Sequence, residues 1–404
     1  MERRFTILRD PFGAIPTDPY GGGPAARRGG ARGRERSAAP EIEVATLDKA
    51  ELRDVVRAPG VRAIAPVIPT KLIFPVPMDD SGSTDDDATA AGPTWGVSSV
   101  GAVESTRTGT GATVSVLDTG IDAQHPAFAG VELVQEDFTG AGVGDVQGHG
   151  THCSGTIFGR DVAGTRIGVA PGVSRAFIGK VLGDDGSGDS TMIFQGIQWA
   201  LRQGASVISM SIGFDFPGYV AALEAEGWPT ELATSVALEG YRANLRMFDA
   251  LMGVVEASEA FGPGTVLVAA AGNESRRNEN PEFEIAASIP AAAQGMISVG
   301  ALAQGSGGLE IAYFSNTFPV IAAPGVDVVS AKANSTGLVS MNGTSMATPH
   351  VAGVAALHWE DVLNSPVPAR ADTVIARMLA RADVTAFSTG VDVADRGVGL
   401  VRAP

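Results

Sequence analysis

"NGTSMATPHVAG", residues 342–353, decides how the rest of the chain must fold. The small and apolar residues around Ser345 read as the start of a helix, with Pro349 four positions later. The first four backbone N–H groups of a helix have no partner within it, so a proline this close to the start is expected to cost little hydrogen bonding. The positive end of the helix then points at Ser345 and favours negative charge developing at its hydroxyl. A hydroxyl becomes a nucleophile only when something takes its proton. The fold must therefore bring a base to this helix.

Upstream, short apolar runs alternate with helical patterns from about Pro93 to the end. "ATVSVLD", "VELVQEDF", "RAFIGKVL", "SVISMSI", "GTVLVAAAG" and "MISVGAL" read as strands; "STMIFQGIQWALRQG", "RANLRMFDALMGVVEA", the segment after Ser345 and "ADTVIARMLARA" read as helices. Continuous apolar strands separated by helices predict an α/β fold with a parallel sheet covered on both faces. Sites in such sheets form at the carboxyl ends of the strands. Asp118 ends one strand, His149 opens the helical "HGTHCSG", and Asn273 follows the strand in "VAAAGNES". With Ser345 these supply a nucleophile, a base and an orienting carboxylate, and Asn273 adds an amide donor for a tetrahedral oxyanion beside the Ser345 N–H.

The order Asp, His, Ser carried by "VLDTGID", "HGTHCSG", "AAAGNE" and "NGTSMATPHVAG" resembles the subtilisin superfamily of serine proteases, and the cysteine in "HGTHC" is similar to its proteinase K branch. The likeness runs from about Trp95 to "DRGVGLVRA" and implies a three-layer catalytic domain over residues 93–404. It implies a serine endopeptidase with Asp118, His149 and Ser345 as catalytic residues and Asn273 at the oxyanion. "SMSIG" and "VLGDDGSG" resemble the segments that pair with substrate backbone, which assigns Ser211, Ile212, Gly213, Gly186, Ser187 and Gly188 to the cleft. "ASIPA" resembles the segment near the first specificity pocket, with Ser288 where many relatives have glycine and a cis bond expected before Pro290. Ala127 stands where members with a strong calcium site carry aspartate, so no cofactor is required and calcium dependence is expected to be weak. Two rival readings use the same residues: an inactive peptide-binding module, and a peptide ligase or esterase that shares the acyl-enzyme.

Other chemistry is less well supported. "HGTH" lacks the spacing and the glutamate of a zinc-protease helix, and "DDGSGD" lacks the alternating oxygen ligands of a calcium loop, so no metal site is expected. His125, His152 and His350 are expected to bond core backbone, and Cys153 to be a buried small residue under the catalytic histidine. "FDFPGYVAALEAEGWPTELATSVALEGY", residues 214–241, reads as a helical insertion beside the cleft.

Residues 1–78 form a separate pattern of strand, helix and strand, with a helix cap expected at Asp48. The stretch "EIEVATLDKAELRDVVRAPGVRAIAPVIPTKLI" resembles the family's inhibitory prodomain, which implies that the chain's own N-terminal segment occupies the cleft until cleavage after the "TKLIFPVPMDD" region releases it. The Gly- and Arg-rich stretch 21–40 reads as a connector, and 79–92, rich in Asp, as a linker. Residues 1–40 hold eight Arg against four acids, or +4, which leaves −20 of the net −16 on the remainder. An acidic body argues against nucleic-acid partners. The single cysteine excludes an intrachain disulfide, and no apolar run is long enough for a membrane span or signal peptide, so a cytoplasmic monomer acting on peptides or proteins is expected.

Overall fold

The structure, a computed structural model, describes residues 2–10, 40–77 and 91–404. The expected connector at 21–40 lies outside these residues apart from Pro40, as does the expected linker at 79–92 apart from Ala91 and Gly92.

The chain opens with an antiparallel sheet of β1 (Arg3–Arg9), β2 (Glu41–Leu47) and β3 (Val61–Pro66), with β1 in the middle. Between β2 and β3 lies α1 (Lys49–Val56). Its start is a reciprocal cap: the Asp48 carboxylate accepts from the N–H groups of Ala50 (2.7 Å) and Glu51 (2.9 Å), while the Glu51 carboxylate accepts from the Asp48 N–H at 2.8 Å. After Pro66 the chain leaves this sheet, and β4 (Pro69–Leu72) pairs with strands of the larger body instead.

The first half of the body runs through β5 (Val114–Asp118), β6 (Glu132–Asp137), α2 (His149–Phe158), β7 (Arg175–Lys180), β8 (Ser187–Asp189) and α3 (Ser190–Gln203). β9 (Val207–Met210), β10 (Ile212–Phe214), α4 (Phe216–Ala225), α5 (Thr230–Ser258) and β11 (Val266–Ala270) follow. β12 (Ile297–Gly305), β13 (Gly308–Ile311), β14 (Ile321–Pro324) and α6 (Thr344–Leu363) complete the framework. An eight-stranded sheet has the order β13-β12-β11-β9-β5-β7-β6, with β14 also on β12; every pairing is parallel except β12 with β13.

Side-chain alternation along the strands builds two cores. Val114, Val116, Val207, Val266 and Val268 pack with Cys153, Ile157, Val351 and Ala355 of α2 and α6. Leu117, Ile208, Met210, Leu267 and Ala269 face the other way, onto Ile193, Phe194 and Ile197 of α3 and Met247, Phe248 and Leu251 of α5. A sheet clothed in helices on both faces is the three-layer α/β fold expected. It sets Asp118 at the carboxyl edge of the sheet, as the last residue of β5.

Helix α6 passes through the first core with 17 of its 20 residues buried. Pro349 is its sixth residue, beyond the turn whose N–H groups lack partners, so the expectation that it costs little hydrogen bonding needs correction. Its missing N–H frees the carbonyl four residues earlier, that of Ser345. Two neighbours satisfy this oxygen: the Ser211 hydroxyl donates to it at 3.2 Å and the Cys153 thiol at 3.4 Å.

The insertion differs from its reading in one respect. Its second half and the following pattern at 242–257 are one 29-residue helix, α5. Pro229 precedes its first turn, and Gly240 does not break it because neighbours fill its space: a Cβ there would lie 3.1 Å from Ile68 and 3.3 Å from Tyr219. The N-terminal sheet rests on this helix. The buried Asn244 amide donates to the Pro66 carbonyl at 2.9 Å, and the Arg3 guanidinium lies 5.7 Å from the Trp228 ring centre.

Candidate active site

His149 is the first residue of α2, entered through Gly148 at φ 95°, a backbone state that favours glycine. Asp145 secures this entry. Its buried carboxylate accepts from the Gly148 N–H (2.7 Å), the Thr151 N–H (2.8 Å) and hydroxyl (2.6 Å), and the Thr119 hydroxyl (2.9 Å). The His149 Nδ1 lies 2.8 Å from Asp118 Oδ1 and 3.0 Å from Oδ2, with both side chains buried. Burial on its own pushes the imidazole down, but the Asp118 carboxylate beside it outweighs this and holds the His149 pKa well above its ordinary value.

Cys153, one turn along α2, links this pair to the serine. Its Sγ is 3.7 Å from His149 Nδ1 and 3.4 Å from the Ser345 carbonyl, and burial raises its thiol pKa, which suits a packed thiol rather than a thiolate. Asn273 follows β11 through Gly272, at φ 116°. Its Oδ1 accepts from the Thr344 N–H (2.9 Å) and hydroxyl (2.8 Å), which turns Nδ2 into the cleft.

The cleft is already filled by the chain itself. β4 lies between β8 and β10, antiparallel to both. Lys71 sits opposite Ser187 and Gly213, Leu72 opposite Ile212, and the Leu72 N–H donates to the Gly186 carbonyl at 2.8 Å. Thr70 sits opposite Gly188. The next N–H, of Ile73, points to the Ser211 carbonyl at 3.5 Å. The Ile73 side chain lies against the open face of Gly213, with the Ser288 hydroxyl on the far side of that space. Ser345 Oγ donates to the Ile73 carbonyl at 2.9 Å, Asn273 Nδ2 donates to the Phe74 carbonyl at 3.0 Å, and the Val76 N–H donates to the Asn342 carbonyl at 2.8 Å.

Ser345, Asn273, Ser211, Ile212, Gly213 and 186–188 thus meet the segment in the cleft, Ser288 lies near Gly213, and Cys153 joins the buried pair of Asp118 and His149 to the Ser345 carbonyl. The peptide bond from Ile289 to Pro290, beside Ser288, is cis. His125, His152 and His350 bond backbone: His125 accepts from the Ala127 N–H, His152 meets the Val328 carbonyl and His350 that of Met346. Among the described residues, the cluster of at least three His, Cys, Asp or Glu donors close enough to share an ion is Asp118, His149 and Cys153, the site just described. Sequence reasoning missed Asp145, Thr344 and Asn342. The first was legible as an acid four residues before His149; the other two flank Ser345 and act by hydrogen bonds that no spacing reveals. It also missed Asp215, which receives the Lys71 ammonium at 3.0 Å.

A model described as the subtilase family matches residues 109–399, most of the chain. The chain belongs to the subtilase family. Among curated relatives it is 32% identical over 321 residues to the thermostable alkaline protease of Halalkalibacterium halodurans, covering 78% of this chain and 71% of that one. It is 34% identical to subtilisin DY of Bacillus licheniformis, covering 60% of this chain and 75% of that protein. It is also 34% identical to the major intracellular serine protease of Bacillus subtilis, covering 60% and 67% respectively. This subtilase is a serine endopeptidase acting on peptides or proteins. No helix among its described residues is long and apolar enough to cross a membrane.

Proposed function

We propose that Ser345 is the nucleophile of this endopeptidase, with His149 as general base, Asp118 orienting it, and the Asn273 amide and Ser345 N–H holding the oxyanion. A substrate enters extended between β8 and β10 and is read first through its main chain, as an added strand. Ser345 Oγ attacks the carbonyl carbon as His149 Nε2 takes the hydroxyl proton; Asp118 stabilises the resulting imidazolium. The oxyanion is met by Asn273 Nδ2, whose orientation is prepaid by the two bonds from Thr344. His149 then gives the proton to the leaving nitrogen, and water repeats the sequence on the acyl-enzyme.

The observation that carries this reading is that β4 runs between the two cleft strands and delivers a peptide carbonyl to Ser345 Oγ at 2.9 Å. The same observation supports residues 1–78 as an inhibitor in cis. A tethered segment is present at an effective concentration on the order of millimolar, so even weak affinity fills the cleft. For the calcium question, Ala127 is buried and its backbone is engaged, donating to His125 and accepting from the Arg160 N–H at 2.7 Å. We take the enzyme to work without a strong calcium ion there.

The test is a serine-reactive phosphonate and a peptide substrate. Wild-type protein freed of its N-terminal unit labels at Ser345 and hydrolyses the peptide; Ser345→Ala does neither. Asn273→Ala retains slow turnover, reduced by on the order of 10²–10³, the loss established for this donor in subtilisin, the type enzyme of the family. Equal hydrolysis by wild type and Ser345→Ala would sink the assignment.

A further inference from the structure

An extended chain lies between β8 and β10, so the surroundings of each side chain along the cleft can be read directly. Thr70, Leu72 and Ile73 are buried against the body. Lys71, opposite Gly213, keeps 34% of its side-chain surface exposed and ends on Asp215, with Nζ 3.0 Å from Oδ1. Its position is two residues before Ile73, whose carbonyl meets Ser345 Oγ.

Asp215 is held in place by the insertion. It follows β10 directly and caps α4, its Oδ1 accepting from the Gly218 N–H at 3.2 Å. Gly218 leaves room for the carboxylate, since a Cβ there would overlap Asp215 Oδ2. The Asp215 N–H points to the Pro69 carbonyl at 3.4 Å, which continues the pairing of β10 and sets the carboxylate in register with the chain in the cleft. Three other acids near the cleft are engaged elsewhere. Asp184 takes the Lys180 ammonium, Asp185 accepts from the Ser187 N–H (2.9 Å) and hydroxyl (2.7 Å), and Asp189 caps α3 and pairs with Arg4 of the first sheet at 3.2 Å. Of these four, Asp215 is the one that meets a side chain of the chain in the cleft. A neutral side chain at this position leaves Asp215 to water, whereas an acidic one sets two like charges together, so the carboxylate both attracts and rejects.

We propose that Asp215 is a specificity residue, favouring substrates with lysine or arginine two residues before the one whose carbonyl Ser345 attacks and disfavouring acidic residues there. This rests on the reading of Ser345 as nucleophile and of a substrate extended between β8 and β10, and adds to it a substrate class, basic rather than acidic segments. The selectivity comes from the first residue of the insertion's helix cap rather than from an apolar pocket. Because the pair is part-exposed, it tunes the rate instead of deciding whether a peptide is cut at all.

The experiment uses the purified protein in the form that the phosphonate labels at Ser345. Its substrate is acetyl-Thr-Lys-Leu-Ile-p-nitroanilide, the sequence of residues 70–73 with a leaving group that fixes the cut after isoleucine. Companion peptides replace the lysine by arginine, norleucine or glutamate; norleucine keeps the stem and drops the charge. The lysine and arginine peptides should exceed norleucine in kcat/KM by roughly 3–10-fold, the scale of a part-exposed charged pair, with glutamate below norleucine. The advantage should shrink in about 1 M salt. Asp215→Asn, which can still cap α4 through its amide oxygen, should bring lysine and norleucine to equal rates. Asp215→Lys should reverse the order, glutamate over lysine, which loss of a merely structural cap would not do. Glu226→Gln, at the other end of α4, removes a charge of the same sign and should keep the lysine advantage. Equal rates for lysine and norleucine in wild type, or a lysine advantage undiminished in Asp215→Asn, overturns the proposal and leaves the protease reading standing. If no form labels at Ser345 and none of the four peptides is cut, that reading falls instead, and this proposal with it.

Discussion

The two parts of this chain are held together by different forces. In the body, α6 is buried along nearly its whole length, and the sheet is packed on both faces. In the N-terminal unit, α1 has no buried residue, and the sheet is secured by strand pairing, a helix cap and one face laid on α5. A cavity of about 580 Å³, lined by Phe5, Leu47, Leu52, Tyr219 and Trp228, remains in that contact. Buried side chains specify the body; the unit is gripped both by main-chain hydrogen bonds along β4 and by Leu8, Ala65, Ile68 and Leu72, which are buried in the second core beside α3 and α5. An inhibitor in cis requires that the unit leave without melting the enzyme, and the first core, built on α2 and α6, does not depend on it.

Acid should break the two parts apart most visibly. Burial depresses the pKa of His152 to about 3 and of His350 and His358 to about 4, from 6.5. The folded body keeps them neutral, so their contribution is complete above about 6.5 and is lost as pH falls toward 4, by on the order of 3–5 kcal/mol each as an upper bound. The N-terminal unit contains no histidine. Acid unfolding followed by exchange of body amides should start below pH 6.5, and replacing His350 by glutamine should flatten it. A stability profile flat from pH 7 to 4 would contradict these burials. His149 runs the other way: its pKa is raised, so its contribution is complete below about 6.5 and is lost as pH rises through the raised value. Since catalysis needs the neutral base, hydrolysis should rise as pH passes through that raised value.

Packing gives the next largest effect. A Cβ at Gly353 of α6 would sit 2.6 Å from that of Val169, so Gly353→Val should destabilise the body by roughly 2–4 kcal/mol in urea unfolding. Val56→Asp, at an exposed position on α1, should leave the urea midpoint unchanged. Equal losses from the two would mean that the parts do not differ as argued. Smaller again, Trp228→Ala should weaken the hold on the unit by about 1 kcal/mol, seen as more hydrolysis of added peptide at an unaltered melting temperature of the body. The smallest effect expected is that of EDTA. A strong calcium site with Kd near 10⁻⁸ M would contribute about 7 kcal/mol at millimolar calcium, so a fall in melting temperature above about 10 °C would show that an ion is held despite Ala127.

The sequence by itself determined the α/β class, most strands of the sheet and the cap at Asp48, and it singled out the four residues proposed to carry the chemistry. Each rests on a local rule: an apolar run between helices, a carboxylate three residues before its partner, a motif that ends a strand or opens a helix. Asp118, Asn273 and Ser345 were legible because each ends a strand or opens a helix inside a motif that resembles the family's. Tertiary structure alone decided that α5 is continuous through Gly240, that the Ser345 carbonyl freed by Pro349 is satisfied by Ser211 and Cys153, and that Ser345 and Asn273 meet the carbonyls of Ile73 and Phe74 in the cleft. Those outcomes depend on backbone groups meeting across long sequence separations. Every residue but proline offers the same N–H and C=O, so side-chain identity marks where such a bond cannot form, as at Pro349, but only the folded chain shows where the orphaned partner turns instead.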